Sequence, residues 1–244
     1  MWELYDALIE GIPSNIKVEY SIAGVYRALI QAGNTGLASM VRNKSRPRIS
    51  DWPLTGKPLK DVAALVKSWN FIEASIGMAA INAYYNHYEK LKNKQQIQLD
   101  IDAFERYRPL VKGKKVAVIG HFESAVTLYS DFCRLSIIEK EPRDGDYPDS
   151  ASEYLLPEQD FVFITGMTFT NKTLPRLLEL SKNARIILLG PSVPFAPVLF
   201  DFGVEALSGF CVTDGDSCLN AIQNGEIHIY DYGKKITWYR THQL

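Results

Sequence analysis

Val116-Ala-Val-Ile-Gly120-His121-Phe122 decides the fold: a short apolar run stops on a glycine and opens into a polar loop. The same pattern recurs downstream. Leu135-Ser-Ile-Ile-Glu139 meets a charged loop with Gly145-Asp146, Phe161-Val-Phe-Ile-Thr165 meets Gly166-Met-Thr168, and Ile186-Ile-Leu-Leu189 meets Gly190-Pro-Ser192. Apolar runs this short, alternating with helical segments, are how strands buried on both faces of a parallel sheet read. Ligands of such sheets sit outside the carboxyl ends of the strands, where the strand order reverses. The second half, residues 101–244, is therefore expected to be an α/β domain with a pocket along one sheet edge. Helices are expected near 124–130, 150–155, 174–183 and 216–224. Residues 227–230 and 236–239, joined by a turn at 231–233, are expected to pair as a hairpin that closes the sheet.

The first half, residues 1–100, reads as a smaller α+β domain. A short amphipathic helix carries Leu4, Leu8 and Ile9 and stops at Gly11-Ile-Pro13. Val18, Tyr20 and Ile22 alternate with polar residues as a half-buried strand does. Residues 25–30 and 37–41 follow as strands with Gly33-Asn-Thr-Gly36 as the hairpin turn. A short helix is expected over 59–67 and a longer one over 69–91, with Phe71, Ala74, Met78, Ile81, Tyr85 and Tyr88 on one face. Ala74, Ser75, Gly77, Ala79 and Ala80 keep that helix thin, which lets another backbone approach it. Residues 93–113 are polar and read as a partly helical connection between the domains.

With 27 basic and 28 acidic residues the chain has almost no net field. A nucleic-acid partner calls for a basic face, and none is expected. Lys112-Gly-Lys-Lys115 and Lys90-Leu-Lys-Asn-Lys94 read as solvated surface. No secretory leader and no run of about 20 apolar residues is visible, so the expectation is a cytoplasmic protein without a membrane partner. Cys133, Cys211 and Cys218 are widely spaced and suggest neither a disulfide framework nor a thiolate metal site.

Candidate site residues follow from the strand ends. Gly120, His121 and Phe122 stand at the first strand's mouth. Phe122 occupies the place where a dinucleotide site needs a second glycine, which argues against ordinary NAD binding. Glu139 ends the next strand, where a ribose-binding acid is found in such domains, and a plain surface glutamate fits as well. Thr165, Gly166, Thr168, Asn171 and Lys172 precede a helix start marked by Thr173 and Pro175; free amides, the helix dipole and one cation there suit an anion. Simple capping beside a solvated lysine explains the same residues without a ligand. Ser192, between Pro191 and Pro194, is expected to expose a binding hydroxyl from a stiff loop, and Gly-Pro-Ser-Val-Pro is not a nucleophile elbow. Asp144, Asp146 and Asp149 lack the pattern of a calcium loop and read as turn caps. From the first half, Ser68, Asn70 and Asn82 are candidates to face the crevice, and Asn82 needs a partner in its apolar surroundings.

Ser68-Trp-Asn70 with Gly77-Met-Ala-Ala-Ile-Asn82, Val118-Ile-Gly-His-Phe122, Glu139-Lys140 with Gly145-Asp-Tyr-Pro148, Thr165-Gly166 with Asn171-Lys-Thr-Leu-Pro175, and Gly190-Pro-Ser192 together resemble the family labelled "putative heavy-metal chelation". The resemblance implies an enolase N-terminal-like α+β domain joined to a Rossmann-like parallel-sheet domain, with a site in the cleft between them. It implies little about chemistry and leaves the cofactor open; a divalent or heavy metal ion is what the label suggests, and His121 with Glu139 or Asp146 forms a mixed nitrogen and oxygen site for one only if folding brings them together. Soft metals prefer thiolates and imidazoles, and three scattered cysteines with four histidines form no recognisable cluster.

The leading expectation is a cytoplasmic protein that binds a small anionic ligand, a metal or a metal chelate in an interdomain cleft. If it is an enzyme, His121 takes acid/base or metal duty and Lys172 stabilises charge. The alternatives are a transferase or hydrolase acting on a nucleotide-like substrate, and a non-catalytic ligand sensor whose ligand stabilises a homo-oligomer.

Overall fold

The fold is that of a computed structural model, which describes residues 2–41 and 46–240. Helix α1 (Glu3–Glu10) buries Leu4, Tyr5, Leu8 and Ile9, the stripe its periodicity dictates. Strands β1 (Tyr20–Ala23), β2 (Arg27–Gln31) and β3 (Thr35–Ser39) form an antiparallel meander in that order. All five residues of β3 are buried, because a helix covers one side of the strand and the large sheet lies against the other.

That helix is the centre of the first half. α2 (Leu59–Ala63) tightens into a 3₁₀ turn over Ala64–Lys67, and α3 (Phe71–Tyr85) follows. From Glu73 to Ala83 every residue of α3 is buried, so the single apolar face expected from the sequence is a helix enclosed on all sides. Two glycines make the enclosure close. A Cβ on Gly77 would lie 2.1 Å from the backbone nitrogen of Val66, and one on Gly36 would lie 2.0 Å from that of Ala83. Gly36 therefore sits inside β3 as a point of backbone contact. The turn itself falls at Ala32-Gly33-Asn34, where Gly33 takes the positive φ of 70°.

The long helix expected to reach residue 91 breaks early. Asn86 ends α3, and α4 (Tyr88–Leu91) resumes after it. The cause is tertiary: the Asn86 carboxamide donates to the carbonyls of Val193 (3.0 Å) and Phe210 (3.2 Å) and accepts from the Phe195 amide (2.9 Å). Those long-range bonds outweigh one more helical turn.

The segment read as a connection holds a short strand, β4 (Ile97–Leu99), and α5 (Ala103–Val111). The remaining strands are β5 (Lys115–Ile119), β6 (Arg134–Glu139), β7 (Tyr147–Pro148), β8 (Phe161–Thr165), β9 (Arg185–Leu189), β10 (Val204–Val212) and β11 (Gly233–Tyr239). Between them run α6 (Glu123–Tyr129), α7 (Ser152–Leu155), α8 (Met167–Asn171), α9 (Leu174–Leu180) and α10 (Gly215–Gln223). The eight strands make one sheet in the order β4-β11-β10-β9-β8-β5-β6-β7, parallel from β7 through to β10. The chain is thus an α/β protein with a largely parallel sheet and a small antiparallel one. Strand alternation assigns the faces. Val116, Val118, Phe161, Phe163, Ile187 and Leu189 point to the cluster under α5 and α6. Their neighbours Ala117, Ile119, Val162, Ile164, Ile186 and Leu188 point to the larger cluster shared with α1 and α3.

The expected terminal hairpin is not the pairing found. β11 lies antiparallel between β10 and β4, and Tyr230–Tyr232 is a 3₁₀ turn. Ile227 is exposed while Ile229 is fully buried in a satellite cluster with Phe210 and Cys218, so this segment plugs a gap beside the sheet edge. Among the described residues no helix is long and apolar enough to cross a membrane.

Candidate functional site

Strand β5 lies between β6 and β8, and the chain runs outward through β6 and β7 before returning to β8. The strand order reverses there, and the carboxyl ends of β5 and β8 spread around the reversal. Gly120 follows β5 with a φ of 100°, and a Cβ on it would sit 3.2 Å from the side chains of Thr165 and Phe122. One strand further, a Cβ on Gly166 would meet the Ser192 backbone at 2.9 Å. Gly120, His121, Thr165, Gly166 and Ser192 thus share one edge of the sheet.

His121 is the best-organised side chain of that edge. Its Nδ1 lies 2.8 Å from Oδ2 of Asp146, a carboxylate whose side chain is only 3 % exposed. A carboxylate oxygen accepts, so Nδ1 carries the proton of that bond, and in a neutral ring Nε2 is left with the lone pair. The same Asp146 oxygen accepts the Arg143 amide, which folds the charged loop into the cap expected of an aspartate turn. Glu139 reaches the backbone instead of the ring: Oε2 accepts the His121 amide at 3.0 Å and Oε1 accepts the Lys140 amide at 2.6 Å. Glu123, largely exposed, lies 3.5 Å from His121 Nε2 and pairs with Arg143. Phe122 turns inward and packs on Phe104.

The residues after β8 are engaged within the protein. Thr168 is buried and donates to the Thr165 carbonyl, while Asn171 Oδ1 accepts both the amide and the hydroxyl of Thr173. Lys172 takes a left-handed φ of 66° and reaches across to the first half. Its ammonium donates to the Ser68 carbonyl at 2.5 Å and the Thr170 carbonyl at 2.8 Å, and it lies over the rings of Phe71 and Trp69. Burial lowers its pKa to about 8. Ser192, expected to be exposed, is 1 % exposed, and its Oγ accepts the Ser39 amide at 2.8 Å. Asn82 finds its partners in backbone, donating to the carbonyls of Leu37 and Pro191. Ser192 and Asn82 therefore stitch the small sheet to the loop after β9.

At the start of α3, Asn70 caps the amides of Ile72 and Glu73 through Oδ1 and donates through Nδ2 to the Arg46 carbonyl. Glu73 is fully buried. Its carboxylate accepts the amides of Ile49 and Ser50 and the hydroxyls of Ser50 and Ser68. Burial pushes its pKa up, but the bonds from Ser50, Ser68 and Ile49 outweigh that and hold it below the ordinary carboxylate value.

A family model described as "Putative heavy-metal chelation", DUF364, matches residues 102–236, and a second with the same description, DUF4213, matches residues 5–85. The chain belongs to the DUF364 family. A crystal structure of a DUF364 protein of unknown function from Desulfitobacterium hafniense superimposes with a TM-score of 0.92 at 44 % identity, covering 98 % of this chain and 99 % of that one. A DUF364 protein from Pyrococcus horikoshii shares the fold with a TM-score of 0.81 at 21 % identity, over 97 % of this chain and 99 % of its own. An uncharacterised protein of Methanocaldococcus jannaschii, MJ0500, is 32 % identical over 174 residues, which is 67 % of this chain and 64 % of the relative's length.

The description invites a test against the residues of this DUF364 chain. Soft metals call for thiolates. Here burial pushes the thiols of Cys133 and Cys218 up to about 11 and that of Cys211 higher still, which makes a thiolate costly in the metal-free chain. Among the described residues no group of three or more His, Cys, Asp or Glu side chains converges as a metal site. His121 with Asp146 has the form of an outer carboxylate aligning an imidazole, which fits a single protein ligand to a metal whose other ligands come from elsewhere.

Sequence reasoning passed over three residues. Arg46 and Arg48 border an open cleft with Lys67, Ser68 and Trp69, and Glu73 holds the strap that carries them. A signal existed: four cations fall within Arg42-Asn-Lys-Ser-Arg-Pro-Arg48, of which residues 42–45 lie outside the described structure. Glu73 gave none, because an acid in a first helical turn is ordinary.

Proposed function

We propose that this chain binds a small anionic ligand, or a metal held inside such a ligand, at the sheet edge around His121, with residues 1–100 and 101–244 as the two lobes of the cleft. The alignment of the His121 ring by a buried Asp146, at the point where strand order reverses, carries this reading. When neutral, an imidazole aligned in this way can ligate a metal or take a proton through Nε2, beside which the Glu123 carboxylate lies at 3.5 Å. A metal that arrives already chelated fits better than a bare ion, because among the described residues no three His, Cys, Asp or Glu side chains gather to hold one. Lys172 contributes positive charge from the other side of the loop after β8, where Ser68 and Thr170 hold its ammonium. The unpaired cysteines are consistent with a reducing, cytoplasmic setting.

Thermal-shift screening of the purified protein against divalent metals, organic anions and the metal–anion chelates tests the reading. A ligand at 100 times its Kd stabilises by about 2.7 kcal/mol, enough for a shift of several degrees. The expected result is a response to anion or chelate that is lost in His121→Ala. A flat panel, or an unchanged response in His121→Ala, overturns it. Native mass spectrometry with elemental analysis identifies any ligand that co-purifies; turnover of a nucleotide in the same samples favours transferase or hydrolase chemistry instead.

A further inference from the structure

Glu123 covers the His121 edge from the solvent side. One of its carboxylate oxygens, Oε1, lies 3.5 Å from Nε2 of His121 and also accepts a bond from Nη1 of Arg143. Among the described residues its side chain has no other partner, and it is 76 % exposed. The two groups it covers are fixed from behind. Oδ2 of Asp146, whose side chain is buried, accepts both the Arg143 amide and the bond from Nδ1 of His121, while Glu139 accepts the His121 amide. The imidazole and the root of the arginine are therefore set side by side without any help from Glu123.

An exposed ion pair adds little net stability, because water screens it and two long side chains must be held still. A carboxylate arriving from solvent competes with Glu123 for Arg143 on near-equal terms, and one further contact decides the outcome. Nε2 supplies it. The contact Glu123 makes there is poor: 3.5 Å is the far limit of a hydrogen bond, and an oxygen that only accepts has nothing to offer the lone pair of a neutral ring. A hydroxyl suits Nε2 in both states of the ring, since it donates to the lone pair or accepts from the N–H. Charge limits the anion as well. Asp146 and Glu139 stay beside the ring, so a monoanion meets less repulsion than a phosphate, which carries more than one charge near neutral pH. The planar fork of a guanidinium matches the two oxygens of a carboxylate.

Building on the proposed reading of the His121 edge, we propose that its ligand is a 2-hydroxycarboxylate. The ligand's carboxylate takes the place of Glu123 on Arg143, and its hydroxyl meets Nε2 of His121. Glu123 is the chain's own stand-in for that carboxylate and keeps the edge covered until a ligand arrives.

Ligand-observed NMR titration of the full chain with lactate, propionate and inorganic phosphate tests this, because the first two differ only in the hydroxyl. Lactate is expected to bind at least threefold more tightly than propionate, and phosphate more weakly than either. Arg143→Gln keeps the main-chain amide that Asp146 holds and is expected to weaken lactate at least tenfold. Glu123→Gln removes the competitor and is expected to tighten lactate at least threefold. His121→Ala is expected to leave lactate no tighter than propionate. The side chains of Arg143 and Glu123 are exposed, so both substitutions spare the core, and circular dichroism confirms that each variant is folded. Undiminished lactate binding by Arg143→Gln, or unchanged or weakened binding by Glu123→Gln, overturns the proposal. Phosphate binding that depends on His121, in a chain that ignores lactate, overturns it too and leaves the wider reading of the edge standing. Silence toward all three probes also overturns it, and the thermal-shift panel then decides the wider reading separately.

Discussion

Replacing Glu73 exposes how much of the first half depends on one buried charge. In Glu73→Ala the amides of Ile49 and Ser50 and the hydroxyls of Ser50 and Ser68 lose their acceptor together. Hydrogen bonds to a charged group contribute roughly 1.5–3 kcal/mol each, and less where water replaces the acceptor. Ser68 is buried and Ser50 half-buried, while Ile49 is exposed, so water recovers part of the loss. The expected cost is about 4–6 kcal/mol, a large share of the roughly 5–15 kcal/mol that holds a domain folded. Glu73→Gln keeps one carbonyl oxygen and offers an amide to the Ser68 hydroxyl, so its expected cost is about 1–2 kcal/mol. Acid supplies the second axis. Because the folded protein keeps Glu73 ionised to lower pH than the unfolded chain, its contribution is complete above the ordinary value of 4.5 and disappears as pH falls through the folded value. Urea denaturation of parent, Glu73→Gln and Glu73→Ala between pH 7 and pH 3.5 should show the gap between parent and Glu73→Gln closing below about pH 4.5. A gap that stays constant or widens on acidification, or a Glu73→Ala cost under about 1 kcal/mol, refutes the reasoning.

Gly36→Ala drives a methyl into the backbone of Ala79 and Ala83, neither of which can step aside; at least about 3 kcal/mol should be lost, or the chain should fail to fold, by the same urea assay. Asn86→Ala removes the bonds to Val193, Phe195 and Phe210 and should cost about 2–4 kcal/mol, with accelerated hydrogen exchange in the loop after β9. Folded Lys172 releases its proton near pH 8 whereas the unfolded chain holds it to 10.5, so this residue should add stability as pH rises through that window. In Lys172→Met that increment should be absent; an identical pH slope in parent and variant between pH 7.5 and pH 10 contradicts the burial described for its ammonium.

The parallel core was legible because strands buried on both faces leave little room for polar residues: 115–119, 161–165 and 185–189 are almost purely apolar. Gly77 also announced its role, since a helix interior tolerates glycine only for a reason, and the reason is the Val66 backbone. β10 was less visible. Glu205, Ser208 and Gly209 interrupt it, and Gly209 is there because Phe195 and the Val193 carbonyl press within 3.1 Å of where its Cβ would be. Its partner β11 is found through contacts across the whole fold, which local pattern does not encode. At the candidate site, strand-end logic located Gly120, His121, Thr165 and Ser192. It could not tell an exposed hydroxyl from one that receives the Ser39 amide, because that depends on the other sheet arriving there.

The seam between the two sheets has a mechanical consequence. Asn82, Asn86 and Ser192 bind main chain across it at set distances and angles, so displacing one sheet by a single residue would break every one of those bonds together. Apolar surfaces can glide past each other; carboxamides bound to carbonyls cannot. Shear along the seam is therefore opposed by bond geometry as well as by packing, and the two sheets keep one register with respect to each other.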